Sequence, residues 1–459
     1  MASLLPVLTR PNSYFLNYDA YGGTQYNRSN WDFKVNYSPT SRAMIFGRYS
    51  MSPMDIVAPL DLGPAGGDAF NGGNAGHAGG RVQVTAAGFT YTVSPSLLLD
   101  GNVGYTRQNI GANGDPEDGY FGLDVLKIPG TNGDSENYKG IPAMFVSGIA
   151  NLGNPGTGSP FQFRDNQYLS AINLSKIKGS HSLRFGFEYD RFALNHFQPQ
   201  GGTFGTPRGS FGFDGTLTAL KGGAAVNAGS PSNSWAQFLL GFPSRVGKVT
   251  QFTNPNALRF STWSFYARDS WQATRNLTIN YGLRWEYYPI YSHDHYGAVR
   301  YDAATHNILV GGMGGVPWDT GAEASKKGFG PRLGAAYRLG AKTVIRSGYG
   351  ISIDPDNMRN QRNQYPSIVN QDYTPLNSYQ FTSYAGVPFS DGATQVRLSD
   401  GVPLPNFPDI TVGVIKPSPT ASTSTYLPSI GTATFPANFN RGYYRAGISL
   451  CSVNSLLRW

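Results

Sequence analysis

The chain has 459 residues, of which aromatics make up 14% and charged residues only 14%, beside 58 glycines and 31 prolines. That mix excludes a disordered chain, which is aromatic-poor and highly charged, and it argues against a helical one. The net charge is +8 at pH 7. The basic residues are scattered singly, with no block of five or six, so no nucleic-acid patch is expected.

The first ten residues, Met1 to Arg10, lack a basic start, an apolar stretch and a small-residue cleavage site. They are not a signal peptide. No uninterrupted apolar run of about 18 residues occurs, so no transmembrane helix is expected. Cys451 is the only cysteine, which rules out an intrachain disulfide and a cysteine-based zinc site.

Residues 1–25 give no clear element and form a leading segment. A period-2 pattern then begins. Trp31, Phe33, Val35 and Tyr37 alternate with Asp32, Lys34 and Asn36. In a strand such residues fall on opposite faces, one apolar and one polar. A turn is expected at Ser38 to Ser41, then a strand from Arg42 to Tyr49. The rhythm recurs at Arg81 to Val93 and at Leu97 to Tyr105, around a turn at Ser94-Pro95-Ser96. Gln167 to Ser175 is a weaker strand. After Lys178-Gly179-Ser180, Leu183, Phe185, Phe187 and Tyr189 alternate with Arg184, Gly186, Glu188 and Asp190. Trp263 to Trp271 and Leu277 to Tyr287 flank a short turn. Phe329 to Arg338 and Thr343 to Ile353 flank another.

These runs of about 9–14 residues exceed the 5–6 of an ordinary strand and suit a tilted membrane-crossing one. Short turns alternate with long linkers at about 53–80, 111–163, 197–257, 291–327 and from 354 to 437. Outer-membrane barrels segregate their connections in this way, with short periplasmic turns and long outer loops. The linkers are rich in Gly, Asn, Pro, Ser and Asp, and read as solvated. Aromatics gather towards strand ends at Tyr105, Trp263, Trp271, Tyr287, Tyr288 and Tyr291, as interfacial girdles would. Cross-strand aromatic packing in any sheet is the bland alternative.

Between Trp263 and Asp354 the residues carry a family resemblance. Phe265-Tyr266-Ala267-Arg268-Asp269-Ser270-Trp271, followed by Asn276-Leu277-Thr278-Ile279-Asn280-Tyr281-Gly282-Leu283-Arg284-Trp285-Glu286-Tyr287, resembles a hairpin of TonB-dependent outer-membrane transporters. Gly328 to Tyr337 with Lys342 to Gly350 resembles the next hairpin. Ser234 to Ser244 is similar to a segment of the Oar-like branch. The resemblance implies a 22-stranded barrel, an N-terminal plug and a short segment that couples to TonB. About eleven or twelve candidate strands are present, with no plug or coupling segment. The chain is therefore expected to be an interior fragment that loses its pattern from about Tyr444, with a frameshift or truncation after Arg441-Gly442-Tyr443 favoured over a genuine terminal aromatic at Trp459.

No catalytic constellation, cofactor site or metal site is expected. His293-Asp294-His295 is the tightest ligand-type group, but an exposed loop explains it more simply. Asp115-Pro116-Glu117-Asp118 and Asp354-Pro355-Asp356-Asn357 lack calcium-loop spacing. The candidate functional residues are charges on the polar strand faces: Arg184, Glu188, Arg284, Glu286, Arg332, Arg338 and Arg346. In a barrel they face the lumen, where they contact a plug or a solute, or simply pair with one another.

The expected fold is all-β: an antiparallel transmembrane β-barrel of the outer-membrane type, an incomplete part of a 22-stranded barrel over residues 26–459. The expected place is the bacterial outer membrane. The expected function is the barrel portion of an energy-coupled transporter, inactive alone. The expected partners are outer-membrane lipid and lipopolysaccharide, an unknown solute, and the TonB complex through an N-terminal segment missing here. A passive porin or a structural or adhesive barrel is the alternative, and a secreted all-β binding module is a third reading.

Overall fold

The computed structural model describes residues 1–13, 16–70, 76–113, 119–133, 135–156, 158–200, 204–220, 230–354, 367–374, 383–384, 387–388, 394–405, 407, 409–416, 437–439, 443–446 and 451–454. Ten long strands form one sheet, in which every neighbouring pair is antiparallel. They are β1 (Trp31–Thr40), β2 (Ala43–Ala58), β3 (Gly76–Ser94), β4 (Leu97–Asn113) and β5 (Phe161–Lys178), then β6 (His181–Phe197), β7 (Asn256–Gln272), β8 (Leu277–Tyr287), β9 (Gly328–Arg338) and β10 (Thr343–Ile353). Their spatial order follows chain order. A further short strand, Gln25–Arg28, pairs with Met54 to Val57 of β2. Among the described residues the sheet is open. β1 stands at one edge, while Tyr443–Ala446 and Cys451–Asn454 pair with opposite ends of β10 at the other. Much of the stretch beyond Tyr444, including Trp459, lies outside the described residues.

The period-2 pattern is what builds this sheet. Directly paired residues in an antiparallel ladder share a face, so the register can be followed across the strands. Tyr91, Leu99, Leu174, Phe185, Ala267, Leu283 and Pro331 form one such row. Phe89, Gly101, Ile172, Phe187, Phe265, Trp285 and Phe329 form the next. Tilted rings meet across strands in these rows: Phe187 lies 4.7 Å from Phe265, and Phe265 5.8 Å from Trp285. Val35, Val103 and Leu333 on this face are exposed by 69%, 58% and 57%. A water-soluble protein rarely leaves so continuous an apolar surface bare, whereas lipid covers it without cost. No helix among the described residues is long and apolar enough to cross a membrane.

β2 to β7 run 16–19 residues, further than alternation alone predicts. A 17-residue strand is about 55 Å long, against an apolar band of about 25 Å. The exposed apolar residues crowd the half nearest the short turns. The other half carries buried residues such as Ala58, Ala112, Phe197 and Leu258. The extra length therefore projects beyond the lipid on the long-connection side.

The long connections differ from their expected solvated state, because they hold the best-buried side chains of the molecule. Four short strands form a small mixed sheet in the order Ile368–Tyr373, Arg245–Gln251, Ser210–Phe213, Ala143–Val146. Phe211, Phe213, Val246, Met144 and Leu152 are at most 1% exposed within it. The helix Pro231–Leu240 seals one side, with proline in its first turn and Gly241 left-handed at its end (φ 69°), the usual start and stop signals. Leu62 and Ala65 come to this core from the connection before β3, and Met1, Leu4, Leu5 and Tyr18 pack against it from the leading segment. Folding four separate loops around one core buries apolar area that none could bury alone. A second loop cluster, around Leu258, Tyr291, Ala298 and Ala322, caps β7. Tyr291 is thus a core residue and not part of a girdle.

Candidate functional site

The polar face of the sheet is where the charged candidates gather. Arg184 and Glu188 stand on β6, Arg284 and Glu286 on β8, Arg332 and Arg338 on β9, and Arg346 on β10. Register places all seven opposite the Phe and Trp rows, because each is one residue out of step with them. The structure draws four of them into two bonded networks and leaves three outside.

The first network is closed on itself across four strands. Arg184 Nη2 donates to Asp100 Oδ2 at 3.0 Å, Nε to Tyr266 Oη at 3.2 Å and Nη1 to Ser175 Oγ at 3.0 Å. Tyr266 Oη donates to Asn173 Oδ1 at 2.6 Å, and Asn173 Nδ2 donates back to Asp100 Oδ2 at 2.7 Å. Gly186 makes room for it. A Cβ there would come within 2.3 Å of the Tyr266 ring and 2.5 Å of Asn173 Oδ1. Glycine at this step of β6 is therefore a close-approach requirement.

The second network centres on Arg284. Its Nη2 meets Glu188 Oε2 at 2.6 Å and its Nε meets Glu286 Oε1 at 2.6 Å. Tyr288 Oη donates to Glu286 at 3.2 Å. The guanidinium lies 6.0 Å from the Tyr266 ring centre, so Tyr266 links the two networks. A groove of about 880 Å³ runs beside them, lined among others by Arg184, Glu188, Tyr266, Arg268, Arg284 and Arg332. Arg268 and Arg332 are exposed there and flank Gly282 in register. Among the described residues neither is ion-paired. Arg338 and Arg346 lie nearer the short turn and join neither network.

Asp100, Asn173, Tyr266 and Arg268 belong to this face but were not among the expected site residues. Their signal was parity: each alternates with the apolar residues of its strand. Asp269 breaks that parity. It lies on the apolar face near a short turn, where His181 Nδ1 is 2.5 Å away, Tyr281 Oη donates to it at 2.8 Å, and Trp271 stacks on His181 at 5.5 Å. A carboxylate there is tolerated because His181 and Tyr281 bond to it and Trp271 covers His181.

At His293-Asp294-His295 the expected exposed loop holds for Asp294 and His295 but not for His293. His293 is buried and stacked on Tyr296 at 4.2 Å. Asp294 pairs with Arg259 at 3.1 Å. Among the described residues no group of three or more His, Cys, Asp or Glu is placed to hold a metal. Residues 115–118 and 355–357, which carry most of the two calcium-type groups, lie outside the described residues.

Comparison with solved structures finds outer-membrane receptors. FpvA of P. aeruginosa, in complex with heterologous pyoverdines, matches at 10% identity over 73% of this chain and 36% of its own, with a TM-score of 0.39. The alcaligin outer-membrane receptor FauA from Bordetella pertussis matches at 9% identity over 72% and 36%, with a TM-score of 0.38. The ferric yersiniabactin uptake receptor FyuA from Yersinia pestis matches at 10% identity over 74% and 39%, with a TM-score of 0.35. The chain therefore spans little more than a third of the length of these receptors. No curated protein sequence matches it. The family model for the outer membrane beta barrel domain matches residues 1–446. With its two-faced antiparallel sheet, the chain belongs to the outer membrane beta barrel domain family, and its place is the bacterial outer membrane.

Proposed function

We propose that this chain is the barrel portion of a TonB-dependent transporter, which takes up a solute too large for a porin with energy coupled from the inner membrane. The observation that carries the reading is the polar face. Behind a lipid-type surface the sheet holds a groove lined by arginines, two of them held in place by carboxylates. A polar lumen lining of this kind offers hydrogen bonds to a passing solute or to a plug, while ion pairing keeps it folded. Among the described residues Arg268 and Arg332 have no ion-pair partner, which favours solutes that carry carboxylate or other oxyanion groups. The hairpins Phe265 to Tyr287 and Gly328 to Gly350, with their resemblance to this transporter class, support the energy-coupled form. The packed loop core would form the outer, solute-facing layer.

The test is a planar bilayer recording of the purified chain with no energy source, alongside the coding DNA on both sides read in all frames. The expected result is no steady ohmic pore, with plug and coupling segments encoded upstream. A stable ohmic pore flanked by true stops overturns the reading and makes the protein a passive porin.

A further inference from the structure

One row of the polar face runs Arg184, Arg268, Gly282, Arg332, Gly350 across β6 to β10, each residue directly paired with the next. It lies one same-face step nearer the short turns than Tyr266 and Arg284. Arg184 is held by Asp100, Tyr266 and Ser175. Arg268 stands directly opposite it. Like charges set opposite each other destabilise a sheet, and the carboxylates nearest on this face are already engaged. Asp100 is bonded by Arg184 and Asn173, and Glu188 and Glu286 by Arg284. Asp269 lies on the apolar face, bonded to His181 and Tyr281. Among the described residues neither Arg268 nor Arg332 is answered by an acid, and both are exposed.

Glycine isolates Arg332. Gly282 and Gly350 flank it across the strands, and Gly330 and Gly334 precede and follow it on its own face of β9. A Cβ at Gly350 would meet its nearest neighbour, Arg332 Cγ, at 3.5 Å, and one at Gly334 would meet Ser347 O at 3.6 Å. Both are ordinary contacts, so packing does not demand glycine at either position. The effect of the bare backbone is an open approach to the guanidinium. The next row towards the short turns, Ser182, Ser270, Asn280 and Gly334, adds neutral donors and no acid. Both arginines and this row line the groove of about 880 Å³. Neighbouring strands stand about 4.8 Å apart, so Arg268 and Arg332, two strands apart, leave the backbone about 10 Å from each other. Between them Gly282 is bare.

We propose that Arg268 and Arg332 form a two-point subsite for a solute that carries two carboxylates or similar oxyanions about 10 Å apart, the span of two strand spacings. The proposal rests on the transporter reading and narrows its solute class. Each guanidinium offers paired donors to one oxyanion, and the linking part of the solute lies over Gly282. An anion beside Arg268 also relieves its repulsion with Arg184. A solute with a single charged end engages one arginine and leaves the other in water, so the pair reads charge and spacing together. The subsite lies on the short-turn side of the two networks, where a solute entering from the long connections arrives after passing them. Exposed arginines in a water-filled lumen bind weakly, as a site of passage requires.

The test uses the full 459-residue chain in phosphatidylcholine nanodiscs at low salt, titrated calorimetrically with suberate, its monomethyl ester and succinate. Extended suberate reaches both arginines, and succinate does not. The ester keeps the length of suberate with one carboxylate. Tryptophan quenching by brominated phosphatidylcholine reports insertion separately. The parent should bind suberate roughly tenfold more tightly than either comparison, as one added charge-assisted contact allows. R268Q and R332Q should each bring suberate down to the level of the ester. R268K/R332K should keep the order of the three ligands, since both point charges remain. R275Q, which removes the same charge at an exposed short turn, should match the parent. Equal affinity for suberate and either comparison overturns the two-point subsite. So does unchanged binding in R268Q or R332Q, or an equal loss in R275Q. An unquenched parent overturns the barrel reading and the subsite together. An ohmic pore in the bilayer recording overturns the energy-coupled reading alone, because a spacing-selective pair of arginines can line a passive pore as well.

Discussion

Arg284 stands between Glu188 and Glu286, and both carboxylates are only partly exposed. Removing the guanidinium leaves two like charges facing each other across Ser264, with which both are paired in register. Arg284→Gln should therefore cost about 1–2 kcal/mol, less than a fully buried pair because water still reaches the site. The check is the urea midpoint of the chain refolded into lipid vesicles. E188Q/R284Q should recover part of the loss, because one repelling charge is gone. His293 shows the same logic outside the membrane. Burial, with the Arg259 guanidinium nearby, pushes its imidazole down to about 3. An unfolded histidine titrates near 6.5. Between those values the unfolded chain binds a proton that the folded chain refuses. The stabilising contribution is thus full above about pH 6.5 and is lost as pH falls towards 3. The near-UV signal of Tyr291 and Tyr296 should decay over that window. His293→Phe should remove the pH dependence, and an unchanged acid profile in that variant would show that another group controls it.

Two neighbours on β4 test the two-faced strand directly. Val103 is exposed on the apolar face, and Asn102 lies on the polar one. Val103→Arg, one same-face step inside Tyr105, should destabilise the inserted sheet by about 1–3 kcal/mol, whereas Asn102→Arg should change stability by less than about 1 kcal/mol. Folding titrations in vesicles separate the two, and equal penalties would rule out lipid contact on the Val103 face. Alternation made this face legible in the sequence, together with the five hairpins and the parity of the charged residues. The upper halves of the strands were not legible. His77 to Gly80 and Ile110 to Asn113 pair in register, without an apolar rhythm to read. The loop core was hidden for another reason. Its strands are four to seven residues long, and they pair residues as distant as Val246 and Tyr373. The helix Pro231–Leu240 carried proline and glycine signals that could have revealed it. In the polar networks, the members were readable by parity. Their pairing was not, because Arg184 meets Asp100 only in a register that the sequence does not state.

The molecule as a whole divides its burial unevenly: lipid is left to cover the strands, and the protein itself covers the loops. That division makes the sheet edges the weak point. Every residue of β1 is exposed, and among the described residues β10 is paired on its outer side only from Thr343 to Arg346 and from Gly350 to Ile353. Unpaired backbone groups in hydrocarbon cost several kcal/mol each. A handful of them outweighs the roughly 5–15 kcal/mol that stabilises a typical domain. In a bilayer these edges must therefore be covered, by further strands, by another copy, or by each other. The 459-residue chain alone should associate edge to edge and sediment as oligomers in detergent. Supplying additional strands from the same reading frame should return it to a discrete species. A sharper test of self-closure uses Asn36→Cys with Gly348→Cys, a position on the polar face of β10 between its two outer pairings, after Cys451→Ser. Those two positions lie on the outermost long strands and can form a disulfide within one chain only if β1 and β10 meet. No intrachain disulfide is expected. Its formation in a monomer would mean that ten strands close on themselves, and the lumen would then be a narrow one filled by the arginine networks.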